Sequence, residues 1–453
     1  MKALRVAICV FVFLVAVRIC RAQSLGNEDD SLSGVAMLLP QHHHSDASPP
    51  TFTLDEVKQM ALAGNPEIRV AARRLAVLET NLPSAGALDD PSFMYRGWQV
   101  PLRQPWNYNA AQNMFMISQA IPGRGKRGLR TSVAEASVTE AKGALESTRL
   151  DVRVRVRKAF YDLLRAEDGL RVHDEHVDIG RQAVEAAKIK YVVGKVPQHD
   201  VLKAQVSLTR LAEHLVRFEQ DADVARARLD TLLGRDPSAP INVRGEHEVS
   251  GALPALEVLE QLALQSRPDL LEVQASAEKS RREQALAQKT YTPDFNLSAG
   301  YMLVPRGSEF RNNYMIEGSI NLPWLNHRKH DAEIAESTAK VTEQDAELAA
   351  MRNIAFGQIQ EALVEARAAQ RLANIYQRSL RPQAEATLHS TVIAYENDRT
   401  EFLDLLDSQM TVIDIDLAYF QALGDFEARL ADLELAVGTP INQVQKSTAE
   451  VTQ

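Results

Sequence analysis

Hydrophobic residues recur every seven positions along two stretches of the chain that contain no proline. The first series runs from Val138 to Ala166 and the second from Ile334 to Tyr376. A step of seven is typical of helices that pack along one seam against a neighbour. The proline-free segment from Leu129 to Tyr191 would form a helix roughly 95 Å long, because each helical residue adds about 1.5 Å. The pattern therefore predicts two pairs of very long helices, at about 128–234 and about 328–438, with a kink at Pro382.

Shorter segments with alternating character precede each helix pair. In the later pair, apolar side chains occupy every second position from Phe295 to Leu303 and from Tyr314 to Leu322, with polar residues, glycine or methionine between them. Alternation over about ten residues, in strands joined by a polar loop, is typical of a transmembrane β-barrel. The earlier pair is less regular. We expect four strands, at about 92–100, 113–122, 294–304 and 313–323.

Four strands cannot close into a barrel within one chain. About eight strands is the practical minimum, and lipid does not tolerate the unpaired edges of an open sheet. If these strands span a membrane, several chains must combine. Two chains would supply eight strands, and three would supply twelve.

The chain is also an internal duplication with a period of about 200 residues. The landmarks that match at an offset of 202 are the segments 54–68 and 256–270, Pro66 and Pro268, and Pro91 and Pro293. Landmarks kept in order over spans this long are strong evidence for a repeat. We therefore expect a first repeat at 53–248, a second repeat at 249–439 and a C-terminal tail at 440–453.

The first 22 residues have the pattern of a secretory signal peptide. A basic start and an apolar run at 6–17 precede a small-x-small cleavage site that ends at Ala22. Because Ile19, rather than a small residue, precedes Cys20, we expect cleavage without attachment of a lipid. A polar leader at 23–52 would follow. Both cysteines of the chain lie in the signal, so the mature protein would contain no thiol.

Composition excludes several classes of protein. The 453 residues are 45% hydrophobic and 25% charged, which are ordinary values for a folded chain. The formal net charge of −9 gives no general attraction to nucleic acid, so we expect no nucleic-acid partner. We find no Gly-x-Ser-x-Gly setting for a nucleophile and no other catalytic constellation. We expect neither enzymatic activity nor a cofactor.

Residues 123–128 match the pattern G-x-G-x-x-G between a predicted strand and a predicted helix. A dinucleotide site would need a buried parallel strand before the motif and a second strand within about 30 residues. Pro122 ends the strand here, and a long helix follows. We therefore favour a swivel at which the strand becomes a helix.

Histidines form two small groups. His173 and His176 have the spacing at which two helical residues can share a metal ion. No third ligand is evident and charged residues surround them, so we expect a solvated helix face. The run 42–44 in the leader could bind zinc or copper weakly, but we again favour no specific site. No metal site is predicted from these residues.

Five of the ten methionines fall in the four predicted strands: Met94, Met114, Met116, Met302 and Met315. If Phe93, Phe115, Leu297 and Ile316 face lipid, strict alternation turns all five methionines toward the lumen. Thioethers suit soft ions such as Cu(I) and Ag(I). Methionine is also a flexible filler, and the filler interpretation is the one we favour from the sequence.

Taken together, these features resemble the outer-membrane efflux protein (TolC) family over residues 53–438. The features that carry the resemblance are the duplication, the two strands in each half and the Tyr-x-x-Gly…Asp-Val-Leu-x-Ala-Gln turn at 191–205. The resemblance implies a mainly α-helical protein with membrane β-strands. It further implies a homotrimer in the cell outer membrane, with a twelve-stranded β-barrel in the lipid that continues as a periplasmic α-barrel.

The resemblance also implies partners. Such a duct docks onto an inner-membrane pump through a periplasmic adaptor protein. The stretch 119–127 is most similar to the branch that works with heavy-metal pumps of the resistance-nodulation-division type. Drugs, metal ions and polypeptides all use this architecture, so the substrate stays open.

Finally, the resemblance implies roles for individual residues. Asp404 and Asp407 match the paired aspartates that narrow the periplasmic entrance of the family, and the alternative is that they simply solvate a helix end. Tyr395 and Asp200 match a contact that holds the entrance closed. The arginine partner of the family falls at Thr400, with Arg399 adjacent.

The turns at 191–205 and 395–409 would form the periplasmic tip that meets the adaptor. Tyr191, Gly194 and Val201 belong to the first turn, and Asp398 stands where Gly194 would be in the second. Two alternatives to an efflux duct are a periplasmic coiled-coil adaptor or structural protein with a small soluble sheet, and the exit duct of a type I protein secretion system.

Overall fold

The computed structural model describes residues 50–245, 249, 251–304, 312–397 and 399–441. The signal peptide, most of the leader with its histidine run, nearly all of the tail and Asp398 lie outside the described residues. The described chain divides into two compact units, one formed by residues 177–215 and the other by 50–176 with 216–441. Among the helices that the structure describes, none combines the length and the apolar character needed to cross a membrane.

The two halves of the sequence share one order of elements, namely two shorter helices, two strands and a long helical hairpin. The first half consists of β1 (Thr51–Phe52), α1 (Leu54–Gly64), α2 (Pro66–Ala85), β2 (Ser92–Trp98), β3 (Gln112–Ile121), α3 (Lys126–Val192), α4 (Gln198–Leu233) and β4 (Asn242–Val243). The second half consists of α5 (Leu256–Ser266), α6 (Pro268–Gln288), β5 (Phe295–Leu303), β6 (Asn312–Ile320), α7 (His327–Ile375), α8 (Arg381–Glu396) and α9 (Phe402–Val437).

The predicted long helices are present, and the second pair is interrupted as expected. A π-helical turn, Tyr376–Leu380, separates α7 from α8 and ends two residues before Pro382. Proline has no backbone N–H and its ring clashes with the carbonyl four residues earlier, so the regular hydrogen-bond ladder cannot continue. The wider π-helical turn accommodates this defect.

Four antiparallel strands form one sheet in the order β2-β3-β5-β6. The two halves join where β3 pairs with β5, from Asn113 opposite Leu303 to Ile121 opposite Phe295. The strands are slightly shorter than predicted at two ends. β2 stops at Trp98, and β6 stops at Ile320 because Pro323 opens a 3₁₀ turn soon afterwards. The sheet is open, with β2 and β6 at its edges.

Each half buries its own hydrophobic core between equivalent helices. In the first half, the core residues from α1, α3 and α4 include Val57, Ala61, Phe160, Leu229 and Leu233. In the second half, those from α5, α7 and α9 include Leu259, Ala263, Ile359, Leu433 and Val437. The duplicated sequence therefore builds two similar cores, each from a short helix packed on a long pair.

Two glycines occupy equivalent positions at the ends of the two halves. Gly234 and Gly438 follow the last helices of the two halves with φ of +69° and +89°, a region that favours glycine. A Cβ on Gly234 would lie 2.5 Å from the carbonyl oxygen of Gly64, and one on Gly438 would lie 2.5 Å from Cα of Arg267. In both halves, the end of the long hairpin packs against the break between two short helices.

Candidate functional site

The sheet has one apolar face and one polar face. Opposite residues in an antiparallel pair share a face, and the register places Phe93, Phe115, Leu297, Tyr314 and Ile316 together on the first. Ring contacts join Phe93 to Phe115 and Tyr301 to Tyr314, with centroids 6.5 and 5.6 Å apart. Several of these side chains are open to the surroundings, with Tyr314 88% and Ile316 81% exposed. An exposed apolar face of this extent is a surface made for a nonpolar medium.

The polar face contains all five methionines of the strands, as the alternation predicts. Met94 lies opposite Met116, and Met114 lies opposite Met302. Met315 faces Gly300 across β5 and β6. The same face carries Ser118, Ser298, Arg96 and Glu317, and the two serine hydroxyls are 2.7 Å apart. This face is suited to contact with water.

The glycine-rich motif at 123–128 lies at the junction between strand and helix. Asp294, just before β5, accepts hydrogen bonds from the backbone N–H of Gly123 at 2.6 Å and from Nζ of Lys126 at 2.8 Å. Burial acts to raise the pKa of Asp294, but these hydrogen bonds outweigh it and lower that pKa. A Cβ on Gly123 would lie 2.6 Å from the carbonyl of Pro293, and Gly125 has a φ of +90°. The glycines allow the two halves to meet closely at this junction.

A buried ion cluster that the sequence did not predict joins the halves further along. Arg157 on α3 lies 2.5 Å from Glu427 and 2.7 Å from Glu434, both on α9. All three side chains are buried or nearly so. Burial alone would lower the pKa of Arg157, but the two carboxylates raise it. Burial, followed by the charge of Glu427, raises the pKa of the neighbouring Tyr161. The guanidinium therefore remains charged and holds two carboxylates of the other repeat.

The prediction of a solvated histidine pair is wrong. His173 is 1% exposed and His176 is 9% exposed. The ring of His173 packs against Phe218 with centroids 4.7 Å apart. Burial lowers the pKa of His176, against the opposing charges of Asp416 and Glu175. In the part of the chain that the structure describes, no group of three or more His, Cys, Asp or Glu side chains is placed to hold a metal ion.

The first predicted turn lies in the unit formed by 177–215. Gly194 has a φ of +73° and no atom within 4 Å of a Cβ built on it, so only its backbone conformation demands glycine. Tyr191 is exposed, and its carbonyl accepts the N–H of Gly194 at 2.9 Å. Asp200 is buried, with Nε2 of His199 3.0 Å from its Oδ1. Val201 is half-buried at the start of α4.

The second predicted turn lies in the other unit. The ring of Tyr395 contacts that of Phe402 with centroids 5.7 Å apart, and the N–H of Arg399 donates to the carbonyl of Ala394 at 2.8 Å. Asp404 and Asp407 are both exposed near the start of α9, at a spacing that places them on one helix face. Asp404 also accepts the backbone N–H of Glu401 and so caps the helix. One of the two candidate gate residues therefore has a structural role as well.

Comparisons with known proteins agree with this architecture. The profile of the Outer membrane efflux protein family matches residues 57–235 and again residues 259–439. The cobalt-zinc-cadmium resistance protein CzcC of Cupriavidus metallidurans is 23% identical over 377 residues, which cover 82% of this chain and 87% of that protein.

Two solved channels have a similar fold. The outer-membrane channel OprN superposes with a TM-score of 0.71 at 18% identity, over 86% of this chain and 90% of that one. CusC superposes with a TM-score of 0.71 at 15% identity, over 89% and 97% of the two chains.

The two-faced sheet, the duplicated helix pairs and these matches define the class of protein. The chain belongs to the Outer membrane efflux protein family. The resemblance stated from the sequence is confirmed, and so is the predicted fold of long helical hairpins with strands for a membrane barrel. The family is one of efflux channels of the outer membrane, and this chain is such a channel.

Proposed function

We propose that three copies of this chain form the passive exit duct of a tripartite efflux system. The observation that carries the proposal is the open sheet, which has an exposed apolar face, a polar face, and unpaired edges at β2 and β6. An edge in lipid must pair, because its backbone groups cannot bond to water there. Pairing of β6 in one copy with β2 in the next closes twelve strands around a polar lumen. The apolar face then meets the lipid of the outer membrane.

The helices would continue this lumen into the periplasm as an α-barrel. The signal peptide at 1–22 supports export to this compartment, with cleavage and without a lipid anchor. The chain supplies no motif for nucleotide hydrolysis, because the glycines at 123–128 serve the strand-to-helix junction. The energy for transport must therefore come from a partner.

Two turns supply the candidate contacts with that partner. We infer that the tips containing Tyr191, Gly194 and Val201 in one repeat and Tyr395 and Arg399 in the other meet a periplasmic adaptor. The adaptor would link the duct to an inner-membrane pump of the resistance-nodulation-division type. Gly194 supports this role because its conformation, and no local packing, requires glycine, as expected of a tip shaped for docking.

Asp404 and Asp407 are the candidate gate. Three copies would place six carboxylates in two rings, which favour cations and repel anions at a constriction. The two residues are exposed and share one helix face, which supports this role. Asp200 and Tyr395 are the candidate lock that keeps the entrance closed, as the family resemblance implies.

The proposed class of transported compound is based on the similarity of this chain to CzcC. CzcC is named for resistance to cobalt, zinc and cadmium, and metal ions are therefore the first class of substrate to test. The alternative of a type I secretion duct predicts loss of a secreted polypeptide and unchanged metal resistance in a deletion strain. The alternative of a periplasmic adaptor predicts that the protein leaves the membrane fraction in high salt.

The deciding experiment combines localisation, assembly and docking. We expect the full-length protein to remain in outer membranes after a high-salt wash and to cross-link as a trimer after extraction in detergent. Because the mature chain would contain no cysteine, Val201→Cys gives a single reactive site for cross-linking to the adaptor in cells. Glu347→Cys, at an exposed position of α7, is the matched control and should not cross-link to the adaptor. A protein found only as monomers or dimers would contradict the proposal.

A further inference from the structure

The methionines on the polar face surround a glycine. Gly300 on β5 lies opposite Met116 on β3 and opposite Met315 on β6. The next residue of β5 on this face, Met302, lies opposite Met114. Side chains directly across a strand pair have Cβ atoms about 4.5–5.5 Å apart, and diagonal neighbours are about 7–8 Å apart. Four long, flexible thioether side chains therefore share the space around one position that has no side chain.

The glycine shapes this group of four. A Cβ on Gly300 would lie 2.7 Å from Cγ of Met116, so the Met116 side chain occupies the space that a larger residue at position 300 would fill. Met116 is 3% exposed, although its face belongs to a single-layered sheet. Its neighbours on that face must therefore cover it. The result is a compact cluster of methionines on the polar face of the sheet.

Two charged residues lie on this face, one at each end of the methionine group. An N–H of Arg96 donates a hydrogen bond to the sulfur of Met94 at 3.7 Å. The guanidinium therefore places a positive charge beside this sulfur. Glu317 follows Met315 by two residues on β6 and shares its face. Arg96 also lies opposite Met114, whereas Glu317 lies opposite Ser298, next to Met315 on the same face. This arrangement favours a cation at the Met315 end of the group and disfavours one near Met94 and Met114.

We propose that Met114, Met116, Met302 and Met315 form a binding site for a soft monovalent cation, Cu(I) or Ag(I). Thioether sulfur prefers such ions over harder divalent ones. Neutral thioethers bind without losing a proton and hold an ion less firmly than thiolates, which suits a site where the ion must also leave. The inference deepens the proposed function and rests on it in one respect, namely that the polar face lines the lumen of the duct.

The test uses silver nitrate as the probe, titrated calorimetrically in chloride-free buffer into the purified full-length protein in detergent. Met302→Leu with Met315→Leu removes two sulfurs from the site at nearly constant volume. Met60→Leu with Met351→Leu is the matched control, since both residues lie in helices outside the sheet. We expect the site variant to bind Ag(I) at least tenfold more weakly and the control to bind it like the wild type.

The histidine run at 42–44 is a competing silver ligand, so a second experiment separates its binding from that of the methionines. Imidazole takes up a proton near pH 6.5, whereas a thioether does not titrate. We expect wild-type binding to persist at pH 5 and in His42→Ala/His43→Ala/His44→Ala. Equal silver affinity in the site variant and the wild type, or binding that vanishes in the histidine variant, overturns the inference. Trimer formation and membrane localisation are measured separately on the same preparations, so failure of the proposed duct is distinguishable from failure of the metal site.

Discussion

Replacement of Arg157 by methionine tests how the two repeats are joined. The change leaves Glu427 and Glu434 buried beside each other without their cation. Loss of one partner from a buried ion cluster costs about 3–5 kcal/mol, because the remaining charges keep their desolvation penalty. For a domain of about 150–250 residues, each kcal/mol lowers Tm by about 2–4 °C. We therefore expect Arg157→Met to lower the apparent Tm by roughly 6–20 °C.

Arg155→Met is the matched control, two residues away on the same helix. Arg155 pairs with Glu67, and both side chains are well exposed. An exposed ion pair contributes about 0–1 kcal/mol, so this variant should melt within a few degrees of the wild type. The assay is the loss of the helical circular-dichroism signal on heating, with the protein in detergent. All variants are heated at one fixed rate, because unfolding of such assemblies can be irreversible.

Removal of the two carboxylates provides the second readout for Arg157→Met. Glu427→Gln and Glu434→Gln, added to Arg157→Met, remove the repulsion between two unpaired carboxylates, so the deficit relative to the wild type should shrink. Equal losses of Tm in Arg157→Met and Arg155→Met would refute the argument. A deficit that the two glutamines do not reduce would show that lost packing, and not buried charge, causes the destabilisation.

Three further predictions test the gate, the helix ends and the buried histidine. Asp404→Asn with Asp407→Asn keeps an acceptor for the helix cap but removes the charge, and should lower cation selectivity in single-channel recordings; unchanged selectivity would exclude a carboxylate gate. Gly438→Ala should lower the free energy of unfolding by about 1–3 kcal/mol, because Gly438 has a positive φ and close backbone neighbours. Gly357→Ala is the control: it lies in α7 with open space around it, so the change should be neutral or stabilising in the same thermal melts. Burial lowers the pKa of His176, so the unfolded chain binds more protons than the folded one, and stability should fall as the pH drops through 6.5. His176→Gln should reduce this fall in stability. A pH profile of Tm that is the same in His176→Gln and the wild type would contradict the role of His176.

Much of the architecture follows from the sequence because it depends on local periodicity. The seven-residue step predicts the long helices, and the two-residue step predicts which strand residues share a face. For this reason the alternation alone predicts that all five strand methionines share one face, and the strand register confirms it. The break near Pro382 was likewise predictable, since proline disrupts a helix through its own covalent structure.

In α3, local periodicity alone does not predict the secondary structure correctly. Val152, Val154 and Val156 alternate like strand residues, yet they lie within one helix and all three are buried. Val152 and Val156 belong to the core of the first half, whereas Val154 packs with Ala431 of α9. A helix covered on two sides can bury residues two positions apart, which a single amphipathic stripe cannot explain. The same covering explains why His173 and His176 are buried among charged sequence neighbours.

The chain's own sequence thus determined the repeat, the class of each element and the two faces of the sheet. The repeat follows from matching two segments of the sequence, and the other two depend on residues close together along the chain. The tertiary structure alone decided which charges pair and which glycines are required. Arg157 and Glu427 are 270 positions apart. Glycine is required at position 300 because Met116, on a strand of the other half, occupies the space that a side chain there would need. Such pairings depend on how two repeats fold onto each other, and one sequence contains no periodic signal for contacts between side chains so far apart.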